Sequence, residues 1–421
     1  MSVAGGQRRM LAILALTQIV SWGSLYYGIT IFAPHIQREM GWRQELVYGA
    51  FSWSLVVAGL AAAPAGAWLD RIGGRVVMAG GSLLAGAGML LLSWSAALWS
   101  YFLAWSLLGA AMALTLYEAA FATINREFAL DARKTISTLT LFGGFASTVF
   151  WPLTLQLTSI LGWRQTCLAY AALHLAVCLP AHLLLPAAPP RAKTPGKIGA
   201  AAASDGDYSL QQALHHPAFW KLAFAFAANA FIFAALSAHL IPMLTHFGHP
   251  AATAVALAAL IGPMQVVGRI AERLFFHQAP PQNVGRFAFA ALPAGLLALL
   301  LLHQRQWAVA FFCVLYGLSN GIQTIVRGTV PQLLFGRQNY GAISGAMAAP
   351  GLVGRATGPC CWRCCWGRAW SRICCWPCCW GLPCWPCCVF WPPRRASTKP
   401  KPRRRLWWYG PISKRIFKRF A

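Results

Sequence analysis

The chain has 421 residues, 58% of them hydrophobic and only 10% charged. Soluble domains carry about 25% charged residues, so the composition excludes an ordinary soluble globular protein. It points to a membrane protein, in which a span takes about 20 apolar residues and this length accommodates about twelve spans with their loops. The formal charge is +26, from 35 Lys and Arg against 9 Asp and Glu.

The apolar runs predict helical spans at roughly 10–33, 45–67, 76–95, 99–122, 137–160, 164–185, 218–241, 252–270, 286–303 and 307–330, with a further start near 341. The first run is too long for a signal-peptide core and lacks a small-residue cleavage site, so it reads as a retained helix. Basic residues near span ends orient the chain. With the N-terminus in the cytoplasm, the cytoplasmic loops hold 14 Lys/Arg and the opposite loops hold 4, Arg38, Arg43, Arg164 and Arg305. The longest polar stretch contains Pro189-Pro190 and Ser204-Asp205-Gly206-Asp207, and six spans precede it. The expected organisation is therefore a six-helix bundle over 1–186, a cytoplasmic linker over 187–216, and a second bundle over 217–358.

The two halves repeat weakly. Gly66, Asp70 and Arg71 recur 202 residues later as Gly268, Glu272 and Arg273. Pro34 and Pro242 lie 208 apart, as do Gly109 and Gly317. Matches in the same order at a near-constant offset indicate duplicated bundles of the kind that rock around a central site.

The loop after the second span reads Gly66-Ala-Trp68-Leu-Asp70-Arg71-Ile-Gly73-Gly74-Arg75. It resembles the signature loop of the major facilitator superfamily, G-x-L-x-D-R-x-G-R-R, with Trp68 at the leucine and Gly74 at a basic position. The resemblance covers residues 1 to about 358 and implies an all-α polytopic fold of two six-helix bundles. In physical terms, Gly66 lets helix backbones approach closely. Asp70 sits at the membrane edge, where it can pair with Arg75 or with the positive N-terminus of a neighbouring helix. Such a cluster, Gly66, Asp70, Arg71, Gly73 and Arg75, is expected to gate a rocking motion, with Gly268, Glu272 and Arg273 as its second copy. The alternative is a basic turn that only sets topology.

Charges inside spans cost about 2.5–3.5 kcal/mol each on insertion scales. Glu118 in the fourth span and Arg327 in the tenth are repeat equivalents, 209 apart. They are expected to face a central cavity from opposite halves, Glu118 as a proton site and Arg327 as a two-pronged anion site. The alternative is that each snorkels to the interface and pairs with loop charges, which is also the reading of Arg269. Further cavity candidates are Gln18, Trp22, Tyr26 and Tyr27 in the first span, Asn229 and His239 in the seventh, and Gln323 in the tenth. The resemblance implies that the first and seventh helices line the cavity. Gln18, Trp22 and Tyr26 share one helix face by spacing, although a Trp/Tyr pair also suits an interfacial belt. His239, three residues before Pro242, reads more simply as a packing residue.

The fifth span has Gly143-Gly144 and Pro152 without the G-x-x-x-G-P spacing of drug/proton antiporters. Tyr316-Gly-Leu-Ser-Asn320-Gly-Ile-Gln323 and Tyr340-Gly-Ala-Ile-Ser-Gly345 are similar to monocarboxylate and oxalate/formate-type members. The acidic residue that marks the eighth helix of the best-known monocarboxylate carriers is missing before Glu272.

Residues 359–421 have a different composition, with 11 of the 14 cysteines, 14 Lys/Arg and no acid. Cys361-x-x-Cys364 spacing suggests zinc, but paired cysteines alternating with tryptophan lack the separated knuckles of such sites. Eleven is odd for a disulfide framework. Leucine codons CTG-CTG-CTG followed by GCG, read one base late, give TGC-TGC-TGG, which is Cys-Cys-Trp. The segment is therefore expected to be an out-of-frame reading from near Gly358, with the last two helices lost or garbled. The basic end could still attract anionic lipids if translated.

The expected function is secondary active transport of a small organic solute, an organic anion among the candidates, coupled to protons by alternating access. A bacterial-type inner membrane is the expected location. Alternatives are a non-transporting remnant of such a transporter, a drug efflux antiporter, and a Cys-rich metal-binding membrane protein. The sequence has no Walker-type glycine loop and no catalytic constellation. The expectation is accordingly no enzyme, no cofactor and no metal, with partners limited to the solute, protons and the bilayer, and no nucleic acid.

Overall fold

A computed structural model describes residues 3–128, 131–187, 207–276 and 279–367. The described residues form helices joined by short turns, with no strand among them. In the first half these are α1 (Val3–Ser21), a π-helical turn (Trp22–Tyr27), α2 (Ile29–Met40), α3 (Gln44–Ile72), α4 (Gly74–Trp94), α5 (Leu98–Thr115), α6 (Tyr117–Glu127), α7 (Ala132–Gly144), α8 (Ala146–Leu173), a second π-helical turn (His174–Cys178) and α9 (Leu179–Leu183). The second half has α10 (Leu210–His215), α11 (Pro217–His246), α12 (Ala251–Ala259), α13 (Ile261–Phe275), α14 (Pro281–Leu302), α15 (Gln306–Phe335) and α16 (Tyr340–Gly367).

Nine helical stretches among the described residues are long and apolar enough to cross a membrane. One of them, Ala132–Leu183, holds 52 residues. At 1.5 Å per residue that is about 78 Å, enough for two crossings. The chain folds back at Gly162, whose φ of 80° is open to glycine without strain. The expected pair at 137–160 and 164–185 is therefore present as two arms of one helical stretch.

The eleventh helix was expected to break off near residue 358, yet α16 continues to Gly367. Its first 18 residues, Tyr340 to Thr357, already rise about 27 Å and pack along α3 and α11. This helix is set by sequence ahead of the composition change. The twelfth helix, the Cys/Trp-rich tail beyond Gly367 and most of the linker lie outside the described residues.

The first half has one continuous apolar core, which Ile325, Tyr340 and Ala356 of the second half join. The second half has two cores, one around Phe219, Val284 and Phe335 and one around Leu244, Phe312 and Tyr316. At the end opposite the signature loop, Glu39 accepts from Trp163 Nε1 at 2.6 Å and from Arg164 Nε at 2.7 Å. Arg164 also donates to the Ser93 carbonyl. This clasp ties α2 and α4 to the start of the second arm of α8.

Candidate functional site

The signature loop is built for close approach. Gly73, with φ 84°, ends α3 and starts α4 in a conformation strained for any residue with a Cβ. A Cβ on Gly66 would lie 1.9 Å from the Gly341 carbonyl oxygen, so α3 and α16 meet backbone to backbone. Gly345 stands equally close to the Ala62 carbonyl. This contact places Asp70 over the N-terminus of α16. Its carboxylate accepts from Gly341 N at 2.9 Å and from Ala342 N at 2.8 Å. These are orphan donors of a helix start, at the positive end of its dipole. The helix N-terminus, of the two partners expected for Asp70, is the one shown here, and Arg71 and Arg75 are exposed. Arg126 donates to the Leu69 and Asp70 carbonyls and so covers the C-terminal end of α3.

The second copy engages differently. Glu272 is 1% exposed and pairs with Arg133 of α7 at 2.8 Å. Arg133 also donates to the Ala279 and Phe276 carbonyls just past α13. Arg273 donates to the Lys134 carbonyl and the Thr138 hydroxyl, and Gly268 packs against the Leu318 carbonyl. A third tie, unseen in the sequence, comes from Arg337 between α15 and α16. Its guanidinium donates to the Asn125 and Phe128 carbonyls at the end of α6. Asn125 and Tyr340 both donate to the Gly328 carbonyl, at 3.3 and 2.8 Å. The signature-loop end of the molecule is thus closed across the two halves.

One residue from this layer, Arg327 reaches Glu118, with Nη2 2.6 Å from Oε1. The side chains are 19% and 16% exposed. The two repeat-equivalent charges therefore pair with each other across the halves and not with loop residues. Glu118 is positioned by a break in its span. At Leu116 the backbone turns extended, ending α5 and starting α6, so Glu118 sits in the first turn of α6. The Thr115 carbonyl freed nearby accepts from Gln18 Nε2 at 2.6 Å. A carboxylate in the first turn of a helix is favoured by the dipole.

A pocket lies beside this pair. Trp22, Tyr26, Leu55, Ala58, Ala62, Met112, Ala113, Leu116, Glu118, Leu352 and Arg355 line it. Trp22 and Tyr26 meet edge to face at 5.2 Å, with Tyr27 and Tyr117 against the Trp22 ring. Of Gln18, Trp22 and Tyr26, expected to share one helix face, the last two line the pocket and Gln18 does not. Gln18 turns toward the α5–α6 break, while Trp22 and Tyr26, inside the π-helical turn, line the pocket. Asn229 and His239 on α11 are half-buried and outside its lining. Gln323 is buried, and its amide donates to Ser319, which donates to the Ala288 carbonyl of α14. Arg269 does not snorkel: it is 6% exposed and lies against Gly144 of α7. Sequence reading missed Arg355, whose signal was a cation fifteen residues into α16, inside an otherwise uncharged apolar run.

No group of three metal-ligating side chains occurs among the described residues. The cysteine cluster expected to compete as a metal site lies mostly outside them.

The crystal structure of the human organic anion transporter MFSD10 (TETRAN) is similar, with a TM-score of 0.61 at 17% identity, covering 84% of this chain and 92% of that one. So is the crystal structure of the transporter FucP in the outward conformation, with a TM-score of 0.57 at 13% identity, covering 82% and 89%. At these identities the likeness is one of fold. Comparison with curated protein sequences finds no match. The family model of the Major Facilitator Superfamily matches residues 13–359. With that match over most of its length, a shared fold and nine apolar helices among the described residues, this multi-pass membrane chain belongs to the Major Facilitator Superfamily of transporters.

Proposed function

We propose that the chain moves a small organic anion together with protons by alternating access. The observation that carries this reading is the Glu118–Arg327 ion pair, which joins the two halves one residue inside the closed end. A buried pair of this kind balances both charges, and removing either partner strands the other. An anionic solute that takes Arg327 from Glu118 leaves the carboxylate uncompensated, and Glu118 then takes up a proton on its oxygen. Opening of the signature-loop end would release both, after which Arg327 returns to the ionised carboxylate.

The loops assigned to the cytoplasm by their basic residues meet at this same end, which supports the N-in orientation and an inner-membrane setting. On this reading 1–186 and 217–358 are the rocking bundles. The family match stops at residue 359, beside the composition change, which supports an out-of-frame tail. Resequencing of codons 350–370 tests that part. One base that restores two Leu/Ala-rich spans supports it, and confirmation of the given frame contradicts it.

The transport reading is tested in proteoliposomes, with the chain as given and with a frame-restored chain. An imposed proton gradient should drive accumulation of a labelled carboxylate. Arg327→Lys keeps the charge but loses the two-pronged contact, so half-saturation should rise at least about tenfold, one bidentate contact's worth. Accumulation indifferent to the gradient, or unchanged kinetics in Arg327→Lys, would overturn the reading.

A further inference from the structure

Between the Asp70 contact and the Glu118–Arg327 pair lies the backbone carbonyl of Gly328, the residue after Arg327 on α15. It accepts from two side chains. Tyr340 Oη donates from the start of α16 at 2.8 Å. Asn125 Nδ2 donates from α6, in the other half, at 3.3 Å. Both side chains are buried. The close approach needs a glycine, because a Cβ on residue 328 would lie 2.9 Å from the Phe121 ring and 3.1 Å from Ile136.

The turn of α15 that carries Arg327 is weakened from within. Pro331 stands four residues after Arg327, inside the helix. It has no N–H to return to the Arg327 carbonyl, so this turn lacks one helical hydrogen bond. The Tyr340 hydroxyl supplies a hold one residue further on. Asn125 makes its contact with its own Oδ1 buried and without a hydrogen-bond partner among the described residues. An apolar residue of similar size would avoid that cost, so the amide is in place for the carbonyl it reaches.

Tyr340 also directly precedes the two amides that Asp70 holds, Gly341 N and Ala342 N. A continuous line therefore runs from Asp70 through the start of α16, the Tyr340 hydroxyl and the Gly328 carbonyl to Arg327 and Glu118. Its two ends belong to the first half and its middle to the second. Parting of the halves at Asp70 shifts the start of α16, and with it the hydroxyl that steadies the Arg327 turn.

We infer that Tyr340 is a positioning residue that couples the Asp70 contact to the Glu118–Arg327 pair, so that the two are made and broken together. The inference rests on the transport reading for what the pair does, and it supplies the step from solute arrival to opening. Coupling of this kind is reciprocal. A solute that draws Arg327 from Glu118 loosens the hold of Asp70 on α16, and an intact Asp70 contact keeps Arg327 on Glu118.

Hydrogen exchange of the Gly341 and Ala342 amides, in the purified full chain in nanodiscs, tests this without requiring transport. These amides are donors of a helix start with no intrahelical acceptor, so their protection reports the Asp70 contact. Arg327→Gln should speed their exchange at least about fivefold, roughly one hydrogen bond's worth. Tyr340→Phe keeps the ring and loses only the hydroxyl. In that background the same Arg327→Gln change should alter exchange less than about twofold, as for uncoupled sites. Asn125→Ala removes a donor to the same carbonyl from outside α16, so there Arg327→Gln should still speed exchange at least about threefold. No acceleration by Arg327→Gln in the otherwise unaltered chain, equal acceleration with and without the hydroxyl, or a response lost as fully in Asn125→Ala as in Tyr340→Phe would each overturn the inference. In proteoliposomes Tyr340→Phe should raise proton leak without solute at least about fivefold, the low end of coupling between sites. If exchange follows this pattern but no proton gradient drives solute flux, the transport reading fails and the coupling stands. If gradient-driven flux is intact but Tyr340→Phe leaves both the exchange response and the leak unchanged, the coupling fails alone.

Discussion

The two copies of the signature loop make their contacts at the same end of the molecule by different chemistry. Asp70 reads backbone N–H groups at the start of α16, brought within reach by Gly66 and Gly341. Glu272 reads a side chain, the Arg133 guanidinium of α7. The first contact depends on how closely two backbones approach, so its key residues are glycines. The second depends on a charge that evolution can move or exchange. A repeat detected in sequence therefore preserves position without preserving every partner: Asp70 meets the start of α16, and Glu272 meets Arg133.

The largest effect should come from closing the gap that the first copy needs. In Gly66→Ala the new Cβ would stand 1.9 Å from a backbone oxygen, so α3 and α16 must separate. Overpacking costs about 1–3 kcal/mol even where side chains can yield, and here backbone must move. Transport should fall at least about a hundredfold, with a cysteine placed at the signature-loop end becoming reactive to a membrane-impermeant thiol reagent. Next comes Arg133→Ala, which strands Glu272 at 1% exposure. Breaking such a pair costs about 3–5 kcal/mol, read as weaker closure in the same thiol assay and as a lower unfolding temperature. The double exchange Arg133→Glu with Glu272→Arg should recover part of this. Asp70→Asn should cost less, about 1.5–3 kcal/mol for the lost charge-assisted bonding. Repair of Asp70→Lys by an acid at an exposed basic position such as Arg71 or Arg75 would contradict the backbone assignment. The smallest effect is expected for Arg75→Gln, an exposed site, within about 0.5 kcal/mol in stability and with transport kinetics close to wild type.

Much of the fold was legible because a span must be long and apolar whatever it contacts. The runs at 45–67, 218–241 and 307–330 fall inside α3, α11 and α15. The pairing of Glu118 with Arg327 was half legible. Their offset of 209 placed them on equivalent helices, but the expected roles were separate, and their mutual contact follows from how the halves close. The break at Leu116 was hidden, since Thr115-Leu116 contains neither glycine nor proline and the break is held by a tertiary partner, Gln18. The π-helical turn at Trp22–Tyr27 was hidden for a related reason. One extra residue in a turn changes which side chains share a face, so counting by fours does not fix how Tyr26 and Tyr27 stand to Trp22. Arg355 was hidden because its surroundings depend on how α16 packs along α3 and α11, which no spacing in the sequence fixes. Arg269 was judged by its distance to a helix end, whereas its surroundings are set by α7 of the other half.

The central claim is that Glu118 exchanges Arg327 for a proton when an anion arrives. The most direct measurement is proton movement during solute flux, recorded with a pH-sensitive dye inside proteoliposomes. The chain should show carboxylate-dependent proton flux, and Glu118→Gln should abolish that flux while still exchanging labelled for unlabelled carboxylate across the membrane. Proton flux that persists in Glu118→Gln would contradict the account.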